Sequence, residues 1–282
     1  MGIIGRKLKN WLPKVLSDNL EFLYPSSIDN RISKTYRSLK RDSVIHTNFG
    51  FKMYIDYSDH VQYRYLYWDM SHDEVNTFKK LVDETNGDLL DIGANVGFYS
   101  LFFCKFTKTN RSVHSFEPVR YNINRLKKNL SLNGYDNVNI HEFGLSDKTG
   151  QSKMVYSDEN RGGASMYRGQ DQNQEYVEFK KLDEVEDISH NDIGFVKIDV
   201  EGAELSVLKG GAEVFKNNLV PLLIEVHPDA IPERNPVSEL VSQLGALNYN
   251  TITNDTGTYN INNMIDGNIP DVLMKHNHWI IK

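Results

Sequence analysis

The stretch DLLDIGANVGFYS, residues 88–100, gathers residues whose types and spacing suit ligand chemistry. A short apolar run carries Asp91. Gly93 and Gly97 then bracket Ala94, Asn95 and Val96, and a helical pattern starts at once. Glycine lets a backbone turn sharply and approach a ligand closely. A helix N-terminus adds free N–H groups and the positive end of a dipole, which favour a carboxylate or a phosphate. The spacing is Gly-x-x-x-Gly. Counted from Gly93, the dinucleotide fingerprint would want glycine where Asn95 and Phe98 stand, and no Lys-Ser or Lys-Thr pair follows as in a P-loop. Glu117, followed by Pro118, ends the next apolar run 24 residues past Gly93. An acid at that place accepts both hydroxyls of a ribose. The set describes a ligand with a ribose and an adenine but no pyrophosphate.

S-adenosylmethionine meets these demands. Its amino-acid end suits the glycine loop with Asp91 near the ammonium, its ribose suits Glu117, and its sulfonium suits a site of carboxylates rather than lysines. A second acidic group follows in FVKIDVEGAE, where Asp199, Glu201 and Glu204 end a buried, β-branched strand pattern. Buried parallel strands deliver side chains to a site at their carboxyl ends. The next strand pattern, VPLLIEVH, ends in Glu225 and His227, two apart and so on one face. Methyl transfer to an alcohol needs alignment of the acceptor and a base within reach of its proton. His227 has the ordinary pKa best suited to that task, Asp199 is placed beside the expected methyl group to orient the acceptor, and Glu201 is open between a turn residue and a site residue. Glu204 reads as an acid offsetting the next helix's dipole. Asp199, Glu201, Glu225 and His227 are also of the types that hold magnesium, but no recognised metal spacing is present and magnesium is not favoured. His276 and His278 read as a surface or interface pair. Cys104, the single cysteine, lies in an apolar run and reads as a packed side chain. Trp68 and His72, in an aromatic and polar segment, are weak candidates for acceptor binding.

Several elements must position these residues. Of 282 residues 39% are hydrophobic and 25% charged, an ordinary globular composition. From residue 88 strand and helix patterns alternate, which predicts βαβ units and a parallel sheet. Residues 151–187 break the rhythm and read as an inserted loop with short strands. Residues 43–56 read as a hairpin around Asn48 and Gly50. The net charge is −6, but residues 1–43 hold nine basic and four acidic side chains. A basic arm on an acidic body argues against nucleic-acid binding. Residues 1–16 have helical apolar spacing with basic flanks, which fits a peripheral membrane contact and equally fits packing on the chain's own domain or on a homodimer partner. No run is long enough for a transmembrane helix, and a single cysteine fits a reducing, cytoplasmic setting.

The segments LLDIGANVGFYSL, HSFEPVRYNINRLKKNL, FGLSDKTG, FVKIDVEGAELSVLKGG and LLIEVHP together resemble the FkbM family of S-adenosylmethionine-dependent methyltransferases over residues 85–230. The resemblance implies an α/β class I methyltransferase fold: a Rossmann-like, doubly wound, mostly parallel seven-stranded sheet, here with an N-terminal helical and hairpin extension (residues 1–70) before the methyltransferase domain (71–282). It implies O-methylation of a saccharide or glycoconjugate hydroxyl, with S-adenosylhomocysteine as product; another small-molecule, lipid-linked or carboxylate acceptor, or a cofactor-binding scaffold without turnover, is the alternative. By position it places Asp91, Gly93, Asn95 and Gly97 in the cofactor loop, Glu117 and Asn122 at the ribose, and Gly144, Leu145 and Ser146 at the adenine. Gly162, Gly163 and Ser165 fall where family members carry a glycine-serine loop near the active site.

Overall fold

The computed structural model describes residues 42–56, 58–59, 61–62, 72–107, 111–158, 160–166, 173–188, 190, 192–226, 236–254, 257–264 and 278–282. Trp68, His227, His276 and the arm 1–16 lie outside the described residues. The chain opens with a hairpin, β1 (Asp42–His46) and β2 (Lys52–Asp56), then helix α1 (His72–Asp83). The alternating section follows: β3 (Asp88–Ile92), α2 (Phe98–Phe106), β4 (Val113–Phe116), α3 (Arg120–Asn133) and β5 (Val138–His141). Strand β6 (Gly144–Leu145) precedes the insert, which accounts for nearly all of β7 (Gly150–Ser157) and for β8 (Asn160–Ser165) and β9 (Asn173–Lys180). The chain then runs through β10 (Ile193–Ile198), α4 (Glu204–Gly210), α5 (Ala212–Asn218), β11 (Leu222–Glu225), α6 (Pro236–Ala246), β12 (Thr251–Asn254), β13 (Gly257–Asn260) and β14 (His278–Ile281).

The main sheet has the order β13-β12-β14-β11-β10-β3-β4-β5. The five strands from β5 to β11 are parallel, and β14 is antiparallel to both β11 and β12. Seven of these strands are the expected doubly wound set. The eighth, β13, is the return arm of a hairpin that extends the sheet edge beside β12. Strand β10 is buried at every residue because helices cover both faces of the sheet. Side chains alternate accordingly: Leu90, Ile92, Val196 and Ile198 fill one core with α4, α6 and Trp279, while Leu89 and Phe195 fill the other with α1 and α2. Strand order reverses between β3 and β10, and a site belongs in the crevice beyond their carboxyl ends.

Much of the insert is strand. Its strands join β6 in a four-stranded sheet, β6-β9-β7-β8, with a small apolar cluster of Met154, Ala164, Val177, Phe179 and Val119. The hairpin is held to α3 by side-chain amides one helical turn apart: Asn129 Oδ1 accepts from Tyr54 N at 2.6 Å and Asn133 Oδ1 accepts from Lys52 N at 2.8 Å. Among the described residues, no helix is long and apolar enough to cross a membrane.

Candidate functional site

Strand β3 ends at Ile92 and the chain turns through Gly93 (φ 76°), Asn95 (φ 52°) and Gly97 (φ 94°) into α2. The N–H groups of Gly93 and Ala94 both donate to Phe116 O, at 3.0 and 2.9 Å, which ties the turn to the end of β4. A Cβ at Gly93 would collide with the Asp199 carbonyl oxygen, and one at Gly97 with Leu126. These glycines are therefore demanded by close approach within the protein as well as by positive φ. The turn opens on a cleft at the carboxyl ends of β3, β4 and β10.

Glu117 is buried at one wall. Its Oε2 accepts from Asn95 N at 2.8 Å, and its Oε1 accepts from Val119 N at 2.9 Å and Asn122 Nδ2 at 3.2 Å. Burial pushes its carboxyl up to about 7, against the lowering effect of these bonds. Asn122 Nδ2 also donates to Arg161 O at 3.4 Å, which fixes the amide. The Oδ1 atoms of Asn122 and Asn95 are buried without a hydrogen-bond partner, and both residues line the cleft. Gly144 and Leu145 from β6, Met154 from β7, Ala164 from β8 and Phe179 from β9 give the cleft an apolar wall.

Strand β10 delivers Asp199 to the cleft, followed by Val200 and Glu201. Glu201 has φ 52°, and its carbonyl accepts from Ser165 Oγ at 3.1 Å, which pins β8 across the site. Glu204 is buried and its Oε1 accepts from Gly202 N at 2.9 Å, so it closes the turn into α4 rather than reaching the cleft. Asp91 is fully buried beneath the turn and does not line the cleft. It accepts from Ser100 Oγ at 2.6 Å, and its Oδ1 lies 3.3 Å from Lys197 Nζ.

Lys197, behind the cleft lining, is a candidate residue that the sequence motifs do not mark. Its Nζ donates to Gly93 O at 2.7 Å and lies 3.5 Å from Asp199 Oδ2. Burial pulls the ammonium toward neutrality, but Asp199, Asp91 and Glu225 together outweigh that effect and raise its pKa above the ordinary lysine value. The cleft lining itself carries carboxylates and no lysine, but behind it an ammonium sits between Asp91 and Asp199. The signal was present, since a lone lysine in the middle of an apolar strand, two residues before Asp199, shares its face.

The structure brings Gly93, Asn95, Glu117, Pro118, Asn122, Gly144, Leu145, Gly162, Ser165, Asp199 and Glu201 to one cleft. Ala94 and Gly97 shape the turn without lining it. Ser146 donates through its N to Lys180 O at 2.9 Å, and Gly163 N donates to Asn160 Oδ1 at 2.9 Å; neither lines the cleft. Glu225 ends β11 opposite His278 and also lies off the cleft lining. His72 opens α1. Burial pushes the Cys104 thiol up to about 12, with the Asp91 charge adding to it, so it is no thiolate nucleophile. Among the described residues no three His, Cys, Asp or Glu side chains are grouped to hold a metal.

A doubly wound sheet whose switch point carries a glycine turn, a buried carboxylate on the next strand and an acid on β10 defines a domain of the class I methyltransferase type. The Methyltransferase FkbM domain family matches residues 91–251, and the chain belongs to that family. Methyltransferase sdnD of Sordaria araneosa is 28% identical over 180 residues, which cover 52% of this chain and 67% of that protein. Methyltransferase 1 of Beauveria bassiana (strain ARSEF 2860) is 24% identical over 145 residues, 43% of this chain and 57% of that one. The chain thus spans little more than half the length of the latter relative. Among solved structures, Methyltransferase FkbM from Methylobacillus flagellatus KT aligns over 70% of this chain and 44% of its own, with 18% identity and a TM-score of 0.45.

Proposed function

We propose that the chain is an S-adenosylmethionine-dependent O-methyltransferase acting on a hydroxyl of a saccharide or glycoconjugate. One observation carries the cofactor reading. The described cleft lining holds Glu117, Asp199 and Glu201, two unpartnered amide oxygens and no Lys or Arg, so it offers acceptors and negative charge. A ligand that fits brings O–H or N–H donors and a cationic group, as a ribose diol and a sulfonium do, and not a pyrophosphate.

Glu117, with Asn122 beside it, would hold the ribose. The apolar wall of Leu145, Met154 and Phe179 would take the adenine, and the Gly93–Asn95 turn the amino-acid end. When bound, the cofactor supplies a methyl group activated by a sulfonium. Asp199 orients the acceptor beside it. Taking up a proton would break the ion pair of Asp199 with Lys197, so the hydroxyl proton goes to His227. Strand β8, pinned through Ser165 to Glu201, keeps water out.

Titration calorimetry of the full chain with S-adenosylmethionine and S-adenosylhomocysteine tests the cofactor. Binding of both, lost in Glu117→Ala, is expected; no heat with either ligand would overturn it. Mass spectrometry of glycans from cells with and without the gene tests the acceptor. A sugar residue lighter by one methyl without the gene is expected, and an unchanged profile points to another acceptor. Activity surviving in His227→Ala would favour a carboxylate acceptor, which has no proton to shed.

A further inference from the structure

A lysine inside a strand buried along its whole length costs stability unless its charge is matched and its N–H groups are bonded. The partners of Lys197 come from the ends of two strands: Ile92, Gly93 and Asp199 line the cleft, and Asp91 lies buried behind them. Nζ donates to Gly93 O at 2.7 Å and to Ile92 O at 3.4 Å, the two carbonyls that open the glycine turn. It lies 3.3 Å from Asp91 Oδ1 and 3.5 Å from Asp199 Oδ2. Asp91 is fully buried behind it, while Asp199 faces the cleft with 27% of its side chain exposed. The Tyr99 ring, 5.2 Å from Nζ, adds a further surface that favours a cation.

We propose that Lys197 is a positioning residue for the cofactor: it clamps the carbonyls of the glycine turn to the Asp199 carboxylate, so that turn and acid meet the ligand as one unit. The row Asp91–Lys197–Asp199 leaves a single negative charge beside the cleft, where two unbridged carboxylates would repel each other. This rests on the cofactor reading above and goes beyond it, since Lys197 touches no ligand itself and acts through Gly93 and Asp199.

A role confined to folding would make a different prediction. It would lower stability while the folded fraction bound ligand as before, and its effect would be independent of Asp199. Double-variant comparison separates the two cases. The experiment is titration calorimetry of the full chain with S-adenosylmethionine, with thermal unfolding recorded in parallel, on Lys197→Met, Lys197→Arg, Asp199→Asn and Lys197→Met/Asp199→Asn. Lys197→Met is expected to bind at least about tenfold more weakly than wild type, and Lys197→Arg, which keeps the charge but not the compact head group, to recover part of the loss. The double variant is expected to bind within about twofold of the weaker single variant, because both changes break the same clamp. Wild-type affinity in folded Lys197→Met, or losses that multiply in the double variant, would overturn the inference. Should Lys197→Met leave Asp91 uncompensated and fail to fold, Lys197→Met/Asp91→Asn keeps the buried charges balanced and is compared with Asp91→Asn under the same expectation. Wild-type protein that binds no S-adenosylmethionine overturns the cofactor reading and this inference together; wild-type binding with unaltered variants overturns the inference alone.

Discussion

On the proposed cofactor reading, Glu117 would couple ligand binding to pH. Its carboxyl is pushed up to about 7, chiefly by burial. A ribose diol donates to the ionised form, so binding draws a proton off the group. Affinity for S-adenosylmethionine should therefore rise as pH increases toward 7 and fall by up to about tenfold per unit below it. Calorimetry between about pH 5.5 and 7.5 reads the slope. Glu117→Gln should bind more weakly at every pH and show no slope; a wild-type affinity that is flat across this range would remove Glu117 from the ribose. Gly93 makes a prediction about stability instead. A Cβ there meets the Asp199 carbonyl, which belongs to the backbone and cannot swing away, and φ is 76°. Gly93→Ala should cost at least about 3 kcal/mol, read by chemical denaturation. Gly162→Ala should cost less, since its φ lies outside the left-handed region and the atom nearest its Cβ, Asn95 Nδ2, ends a side chain.

At the scale of elements, β3, β4 and β5 carry a polar rung of their own, apart from the row of Lys197, Asp91 and Ser115. His114 Nε2 lies 3.3 Å from Asp88 Oδ2, His114 Nδ1 lies 3.0 Å from His141 Nε2, and the His141 ring stacks on Phe116 at 4.4 Å. Burial lowers both pKa values, that of His141 to about 4 with the His114 charge adding to the effect. Groups whose folded pKa lies below the unfolded value contribute stability that is present at neutral pH. It is lost as pH falls from about 6.5 toward 4. Thermal midpoints should drop across that window, and His114→Gln/His141→Gln should flatten the drop; an equal drop in the double variant would place the acid sensitivity elsewhere. This rung was not legible in the sequence, because a histidine in a strand looks the same whether it is exposed or stacked. The five parallel strands were legible, since burial on both faces leaves mostly apolar runs such as DLLDI and IGFVKI. Helix α5 and strand β13 were not. The first directly follows Gly210 and Gly211, which read as the end of a helix, and the second is polar and mostly exposed at the sheet edge. Asp199 and Glu117 were legible because each follows an apolar run. Met154 and Phe179 were not, since they reach the cleft from the insert through tertiary packing alone.

At the scale of the whole molecule, the domain does not end where the family match begins. The hairpin ahead of residue 91 buries Phe49, Phe51, Met53 and Ile55 in the same core as Phe98 and Phe102 of α2. The ring of Phe49 packs edge-on to those of Phe98 and Phe102, at 5.4 and 5.7 Å. Beyond β2 the chain is tied to the roof of the cleft. Asp59 accepts from Arg161 N at 3.1 Å, Asp56 accepts from Tyr121 Oη at 2.9 Å, and the Arg161 guanidinium lies 4.2 Å over the Tyr121 ring. Asn129 joins the two regions, accepting from Tyr54 N while donating to Val96 O in the glycine turn at 2.8 Å. Four large apolar side chains at about 1.5–3 kcal/mol each amount to about 6–12 kcal/mol, comparable with the whole stability of a typical domain, about 5–15 kcal/mol. A chain beginning at His72 should therefore not fold cooperatively, although it contains the whole family match. Circular dichroism melting should show no sharp transition, and calorimetry should show no binding of S-adenosylmethionine. Within the full chain, Phe51→Ala should lower stability by about 3–5 kcal/mol, whereas Val44→Ala, at a side chain 43% exposed, should change it little. A shortened chain that melts cooperatively and binds the cofactor as the full chain does would show that the hairpin is an appendage rather than part of the domain's core.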